Sequence, residues 1–141
     1  MTAPKLSETA AKLYSERGLG TLAEKMGIVL QELSAERAIA TMPVEGNTQP
    51  LGLLHGGAYV VLAESLGSFA ANVHAHPSGF AVGVDVNATH TGSATNGLVT
   101  GVATAIHLGS SIAVHEIVIT DESGKRLSTV RITNLIRQRK S

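Results

Sequence analysis

The sequence predicts an α+β fold in which a long central helix is wrapped by a curved antiparallel sheet of about five to six strands. The stretch 55–73 is rich in alanine and leucine and is apolar on nearly every side, which favours a buried helix. Two apolar runs of strand length precede it, and several alternating segments follow it. Short turns between consecutive strands imply antiparallel pairing. The 141 residues have the length of a single domain, 1–141.

The N-terminal residues 1–20 are expected to form a short helix and an arm. Ser7 is a suitable N-cap, and the residues from there to Arg17 are compatible with a helix. The apolar runs at 27–33 and 37–44 are separated by only three residues, which predicts a β-hairpin. The chain therefore begins with a helix and two paired strands.

The turn-rich segment 45–54 leads into the long helix, which Pro77 and Gly79 end. In the next strand, period-two alternation predicts one common face for Val82, Val84, Val86, Ala88 and His90. Three more alternating segments complete the sheet: 98–107, 111–120 and 126–137. The first of these has small residues on one face, where the helix would pack closely: Gly101, Ala103 and Ala105. A basic tail, 138–141, ends the chain.

The charge distribution is uneven although the net charge is zero. Between Ala38 and Gly124 there is no lysine or arginine, and six acidic residues give this middle segment a formal charge of −6. The flanks carry eleven basic and five acidic residues, a formal charge of +6. Because nucleic acid binding requires lysine and arginine to neutralise phosphates, no nucleic acid partner is expected. An anionic ligand must be held by backbone amides, helix ends or cations from the flanks.

Other features exclude further classes of protein. The chain has no cysteine, and therefore no disulfide, thiolate metal site or cysteine nucleophile. His74 and His76 are two residues apart and do not share a helical face, so no metal site is expected. No apolar segment reaches the roughly 18 residues of a membrane span, and none is typical of a secretion signal. We expect a cytoplasmic protein without membrane contact.

Glu64 is the one acidic or basic residue within the predicted long helix. An unpaired buried carboxylate is costly, and the middle segment offers no lysine or arginine to pair with it. One interpretation is a solvent-facing or ion-paired carboxylate. The other is a general base or nucleophile whose pKa is raised toward neutrality by burial. Ser68, four residues later, shares its face of the helix.

The helix starts with His55-Gly56-Gly57, for which two interpretations are open. The segment is either a tight turn or a site where free N–H groups bind a developing oxyanion. Glu64 follows Gly56 by eight residues, about 12 Å along a helix axis. A reacting carbonyl must lie about 3 Å from both groups, which one chain does not achieve. If both residues serve one site, two antiparallel helices of a two-fold homodimer must form it.

Two segments closely resemble the hotdog-fold acyl-CoA thioesterases: Gln-Pro-Leu-Gly-Leu-Leu-His-Gly-Gly at 49–57, and Leu-Ala-Glu-Ser at 62–65. The resemblance is to the branch with a catalytic glutamate. This branch contains PaaI-type enzymes, glutamate-using 4-hydroxybenzoyl-CoA thioesterases and 1,4-dihydroxy-2-naphthoyl-CoA hydrolases. The resemblance continues through 82–90 and 108–110 and covers about 27–136. It implies a hotdog fold and hydrolysis of an acyl-CoA thioester to acid and coenzyme A.

The resemblance also implies catalytic roles. Glu64 is the catalytic carboxylate, as nucleophile or general base, and the N–H of Gly56 polarises the thioester carbonyl. Gln49 and His55 orient the thioester or the water, and Ser68 assists near Glu64. No cofactor is implied, since coenzyme A is part of the substrate.

Further residues are expected to bind the substrate. By resemblance His90 lies near the acyl group, and Gly57 and Tyr59 border the site. Relatives commonly carry an arginine soon after the position of His90, near the CoA phosphates, whereas 91–97 contains no cation here. Cations from the flanks are candidates to replace it: Arg137, Arg139, Lys140 and Arg37.

Family members are dimers of hotdog subunits, usually paired into tetramers, so the resemblance implies a homodimer with composite sites within a homotetramer. The acyl group is expected to be aryl or medium-chain, with 1,4-dihydroxy-2-naphthoyl-CoA as one candidate. Three alternatives remain: a hotdog dehydratase or hydratase, a non-catalytic acyl-CoA-binding protein, and a plain dimerisation module. The dehydratase lacks support because its usual histidine-plus-acid motif is not found.

Overall fold

A computed structural model of the protein describes residues 2–140, so Met1 of the predicted arm and Ser141 of the predicted tail lie outside the described part. Its elements in chain order are β1 (Lys5–Leu6), α1 (Glu8–Arg17), α2 (Thr21–Lys25), β2 (Val29–Leu33), β3 (Arg37–Pro43), α3 (Gly56–Ala75), β4 (Gly79–His90), β5 (Leu98–Leu108), β6 (Ile112–Thr120) and β7 (Arg126–Gln138). The strands form one sheet in the order β1-β2-β3-β5-β6-β7-β4. The β1–β2 pair is parallel, and the other neighbouring pairs are antiparallel. The α+β class with a long central helix is confirmed.

The N-terminal elements agree with the prediction where the local signals are strong. Ser7 caps α1, because its Oγ accepts a hydrogen bond from the backbone N of Ala10 at 3.2 Å. Strands β2 and β3 form the expected hairpin. The sequence did not predict β1 or α2, which have two and five residues and are too short to show a hydrophobic period.

The core lies between α3 and the sheet, and small residues bring the two layers close together. Leu62 and Leu66 of α3 are fully buried. A methyl group on Gly101 of β5 would lie 2.9 Å from Leu66 Cδ1, so a larger residue there would displace the buried leucine. Gly67 of α3 is packed against the Ile132 side chain of β7. The close packing predicted from the small residues of β5 is confirmed.

Strand β4 lies at the edge of the sheet and contains a β-bulge. Its register with β7 shifts between Gly83 and Asp85. Val86 packs against the core, whereas Val82 and Val84 are 40% and 58% exposed. The predicted common face is therefore wrong for these two valines, because an inserted residue changes which side chains point inward.

Strand β7 is longer than predicted. It continues to Gln138, which pairs with Gly79, and Arg137 pairs with Phe80. The backbone N of Arg139 then donates to Ser78 O at 2.9 Å. Gln138 thus belongs to the sheet rather than to the predicted tail. Arg137 lies within the strand, and Arg139 and Lys140 follow directly after it.

None of the helices within residues 2–140 combines the length and the apolar character needed to cross a bilayer.

Candidate active site

The N-terminus of α3 is organised by its cap residue, His55. The His55 Nδ1 accepts a hydrogen bond from the Gly57 N–H at 2.8 Å, while the His55 N–H donates to Asn47 O at 2.9 Å. The side chain thus satisfies one of the free N–H groups of the helix start. The Gly57 N–H is occupied by this cap, which leaves the Gly56 N–H as the neighbouring donor for a ligand.

His90 lies directly against this helix start. A methyl group on Gly56 would be 3.1 Å from His90 Nε2. The Tyr59 ring packs on the imidazole with centroids 4.8 Å apart, and its hydroxyl donates to Gly92 O at 3.3 Å. Burial raises the pKa of Tyr59 above its ordinary value, with a smaller contribution from Asp121, so its hydroxyl remains a donor at neutral pH. Tyr59 is 2% exposed, so in the single chain it supports His90 from inside the core.

A hydrogen bond with Ser128 of β7 sets the orientation of the His90 imidazole. The His90 Nδ1 lies 2.8 Å from the Oγ of Ser128, which is fully buried on β7. The Ser128 hydroxyl also lies 3.4 Å from Thr89 O, to which it donates when its oxygen accepts from a proton on His90 Nδ1. In that tautomer Nε2 faces the start of α3 without a proton.

Gln49 belongs to the loop before α3. Its Oε1 accepts hydrogen bonds from the backbone N–H groups of Leu51, at 2.5 Å, and Leu53, at 3.3 Å. The side chain oxygen therefore stabilises its own loop. The amide NH₂ is the part of Gln49 that remains to donate to a ligand.

Glu64 is exposed in the single chain, as in the first of its two interpretations, and its burial would require a partner chain. The physical reason is that Glu64 faces the bulge of the edge strand β4. A methyl group on Gly83 would be 3.2 Å from Glu64 Oε2, which shows that the carboxylate rests on bare backbone. Phe80, Val82 and Val84 of the same strand are also exposed, so the sheet ends here in an apolar surface.

Ser68 lies one turn after Glu64 and contacts a residue that the sequence did not identify. Its Oγ donates to Oδ1 of Asn134 on β7 at 3.3 Å, and Asn134 is fully buried. The next turn carries Asn72, whose amide bonds both the N and the O of Ala81 on β4. The signal for Asn134 was present in the sequence, since it interrupts an apolar alternation between Ile132 and Ile136.

A cleft of about 320 Å³ begins beside Ser68. One wall is the second half of α3, with Ser68, Phe69 and Val73, and the other is α1 with the loop that follows it. Leu13 and Leu19 contribute apolar surface, and cavities of this size hold small ligands or the apolar part of larger ones.

Within one chain, the structure therefore places the predicted site residues in two separate groups. Gln49, His55, Gly56, Gly57, Tyr59 and His90 lie at or near the start of α3. Glu64 and Ser68 lie further along, and eight residues of helix correspond to about 12 Å.

The candidate cations are distributed unequally. Arg37 is paired with Glu32 at 3.1 Å. Arg137, Arg139 and Lys140 are exposed at the end of β7. Among residues 2–140, no three histidine or acidic side chains are grouped closely enough to hold a metal ion.

Several known proteins are similar to this chain in both sequence and fold. The model of the thioesterase superfamily matches residues 51–128. The chain is 43% identical over 119 residues to the proofreading thioesterase EntH of Cronobacter sakazakii, covering 84% of this chain and 87% of that protein. It is 42% identical over 120 residues to the 1,4-dihydroxy-2-naphthoyl-CoA hydrolase of Escherichia coli, covering 84% and 88%. Among solved structures, a mutant of thioesterase PA1618 from Pseudomonas aeruginosa matches with TM-score 0.82 and 36% identity, covering 98% and 97%.

Proposed function

Because the chain belongs to the thioesterase superfamily and is a thioester hydrolase with the hotdog fold, we propose that its substrate is an acyl-CoA. The products are the free acid and coenzyme A. The observation that carries the proposal is that one helix, α3, carries an exposed carboxylate, Glu64, and begins at Gly56, where the cap residue His55 occupies the Gly57 N–H. Hydrolysis of this kind needs one group to deliver the oxygen nucleophile and another to stabilise the oxyanion.

In the proposed reaction the Gly56 N–H donates to the thioester oxygen. The positive end of the α3 dipole adds to this stabilisation as charge develops on that oxygen. Glu64 acts as general base on water, or it attacks the carbonyl carbon itself and forms a mixed anhydride that water then hydrolyses. In either route the carbon–sulfur bond breaks, and the departing thiolate takes up the proton that water has released. His90 and the NH₂ group of Gln49 border the same helix start and orient the acyl group and the thioester.

The proposed site is composite, with Gly56 from one protomer and Glu64 from its partner. The length of α3 separates these residues within one chain, and the exposed apolar edge of β4 offers a surface for a second copy. Covering that edge would also shield Glu64 from bulk solvent. Further pairing of such dimers gives the proposed homotetramer.

We place the acyl group in the cleft between α1 and α3. The cleft adjoins Ser68, is lined by Phe69 and Leu19, and has about 320 Å³ for an aryl or medium-chain group. The naphthoyl-CoA hydrolase relative makes 1,4-dihydroxy-2-naphthoyl-CoA a substrate to include in the test. Leu19→Phe, which narrows the cleft, is expected to lower kcat/KM more for a naphthoyl than for an acetyl thioester.

Release of coenzyme A from a panel of acyl-CoA thioesters tests the proposal. A thiol reagent reports the product without background, since the protein has no cysteine. Glu64→Gln and Glu64→Ala are expected to lower kcat by at least about 10²-fold, the lower end for a positioned acid or base. Glu45→Gln is the matched control, because Glu45 is an exposed carboxylate of the same cation-free segment. Absence of coenzyme A release by the wild type, or full activity of both Glu64 variants, would overturn the proposal.

A further inference from the structure

Buried polar side chains are few in the described part of the chain, and two of them lie under the proposed site. Ser128 and Asn134 are fully buried on β7, and both contact predicted site residues. Ser128 Oγ lies 2.8 Å from His90 Nδ1, and Asn134 Oδ1 lies 3.3 Å from Ser68 Oγ. The inner face of β7 is otherwise apolar here, with Val130 and Ile132 between them. Each half of the proposed site therefore rests on one buried polar residue of the same strand.

Asn134 is difficult to explain by stability alone. Its Nδ2 is buried and has no hydrogen-bond partner among residues 2–140. A buried unpaired donor is costly, and an apolar residue of similar shape would avoid that cost. The hydrogen bond that Asn134 accepts from Ser68 offers a functional reason for this buried amide.

This hydrogen bond determines what Ser68 can do. A serine hydroxyl has one proton and two lone pairs, and here the proton is directed at Asn134 Oδ1. Ser68 Oγ is therefore left as an acceptor toward other groups. Glu64, one turn earlier on the same face, also presents only acceptor oxygens when it is ionised. A methyl group on Gly83 would lie 3.2 Å from Glu64 Oε2 and 3.7 Å from Asn134 Oδ1, so both of these oxygens face the β4 bulge.

We propose that Asn134 is a positioning residue that makes Ser68 the second hydrogen-bond acceptor for a water molecule held by Glu64. This inference rests on the proposed function, with Glu64 as general base. The water molecule donates one hydrogen bond to Glu64 and the other to Ser68 Oγ, which directs a lone pair of the water oxygen at the thioester carbon. The water oxygen bonds to that carbon, and Glu64 takes the first proton. The carbon–sulfur bond then breaks, and Glu64 returns the proton to the departing thiolate.

A double-mutant cycle between Ser68 and Asn134 tests the proposal. Asn134→Leu keeps the shape of the side chain and removes the amide. We expect kcat to fall about tenfold, as for one lost hydrogen bond in the transition state, with KM within about twofold of wild type. Ser68→Ala is expected to give a similar loss. Combining the two should cost no more than Ser68→Ala alone, because Asn134 acts through that hydroxyl.

The melting temperature of each variant separates positioning from folding, and Asn134→Ala replaces the leucine variant if the latter does not fold. A purely structural role predicts equal losses of kcat with and without Ser68, and additive losses overturn the proposal. So does an unchanged kcat in a folded Asn134 variant. Glu64→Gln is measured alongside. If both Glu64→Gln and Glu64→Ala retain full activity, the proposed function itself fails, whereas inactive Glu64 variants with additive Asn134 losses refute only the role of Asn134.

Discussion

The His90 imidazole lies so close to Gly56 that a methyl group on this glycine would be 3.1 Å from Nε2. His90 cannot easily yield, because Ser128 bonds its Nδ1 at 2.8 Å and the Tyr59 ring packs on its face. Glycine at position 56 is therefore favoured by contact with a held side chain, in addition to the N–H that we assign to the thioester oxygen. Position 56 thus combines a packing role, the close contact with His90, and the proposed catalytic role of its N–H.

Gly56→Ala separates these roles. The added methyl should displace the imidazole or tilt the helix start, and we expect kcat/KM for an acyl-CoA to fall about 10²-fold, as for the loss of an oxyanion donor. In a His90→Ala background the methyl has space, so the further loss caused by Gly56→Ala should shrink to within a few-fold. Steady-state kinetics of the four proteins give the answer. An equally large loss in both backgrounds would show that His90 is not the reason for the glycine.

The elements that were predicted well are those whose signal is local. Ser7 caps α1 through its own hydroxyl, as a serine before a helix predicts. Gly101 is small, as the predicted close packing of the helix requires, and it lies against Leu66 of α3. The bulge between Gly83 and Asp85 was missed because nothing in the alternating valines shows where a strand inserts a residue. It is set by pairing with β7, which is distant in sequence.

The site was predictable as residue types but not as an arrangement. The carboxylate of Glu64 and the glycines at the helix start were visible, and the length of α3 already argued against one shared site per chain. The exposure of Glu64 was not visible, because it depends on α3 facing an edge strand. Asn134 was overlooked since a single polar residue in an alternating strand acquires meaning only when its partner, Ser68, is known.

His115 predicts how stability depends on pH. It is fully buried, and its Nε2 donates to Ala35 O at 2.8 Å, while Nδ1 is buried without a partner among the described residues. Burial lowers the pKa of His115 below its ordinary value of 6.5; nearby His74 lowers it further, and the Ala35 bond and Glu36 oppose this. At a pH near or below 6.5 this histidine is therefore protonated to a larger extent in the unfolded chain than in the folded one. The free energy of unfolding consequently falls as the pH is lowered through this range.

We expect the melting temperature of the wild type to decrease between about pH 7 and pH 5, and His115→Gln to flatten this decrease. Glutamine remains neutral and keeps a donor for Ala35 O. His107→Gln, at an exposed histidine of β5, is the control and should retain the wild-type slope. Equal slopes in the wild type and in His115→Gln would exclude His115 as the origin.

The basic residues at the end of β7 predict where the CoA phosphates bind. Truncation is unsuitable as a test, because Ile136 pairs with Ala81 in the sheet and Arg139 N bonds Ser78 O. Replacing Arg137, Arg139 and Lys140 by glutamine keeps the strand and removes three charges. We expect KM for an acyl-CoA to rise several-fold, and less at high salt, where charge interactions are screened.

The matched substrate is the same acyl group on pantetheine, which lacks the nucleotide phosphates and should keep its KM. Lys125→Gln with Arg126→Gln, at the other end of β7, controls for a general change in charge. A KM that changes equally for both substrates, or for neither, would place the phosphate site elsewhere.

Complementation between two inactive variants tests whether each site uses two chains. A protomer with Glu64→Gln keeps its Gly56, and one with Gly56→Val keeps its Glu64. In a composite arrangement their heterodimer has one site with both residues intact, so a purified heterodimer should show about half of the wild-type activity. A site within one chain would leave both protomers defective, and the heterodimer would be as inactive as its parents. Mixing Glu64→Gln with Glu64→Ala provides the control, since no pairing of these chains restores a carboxylate.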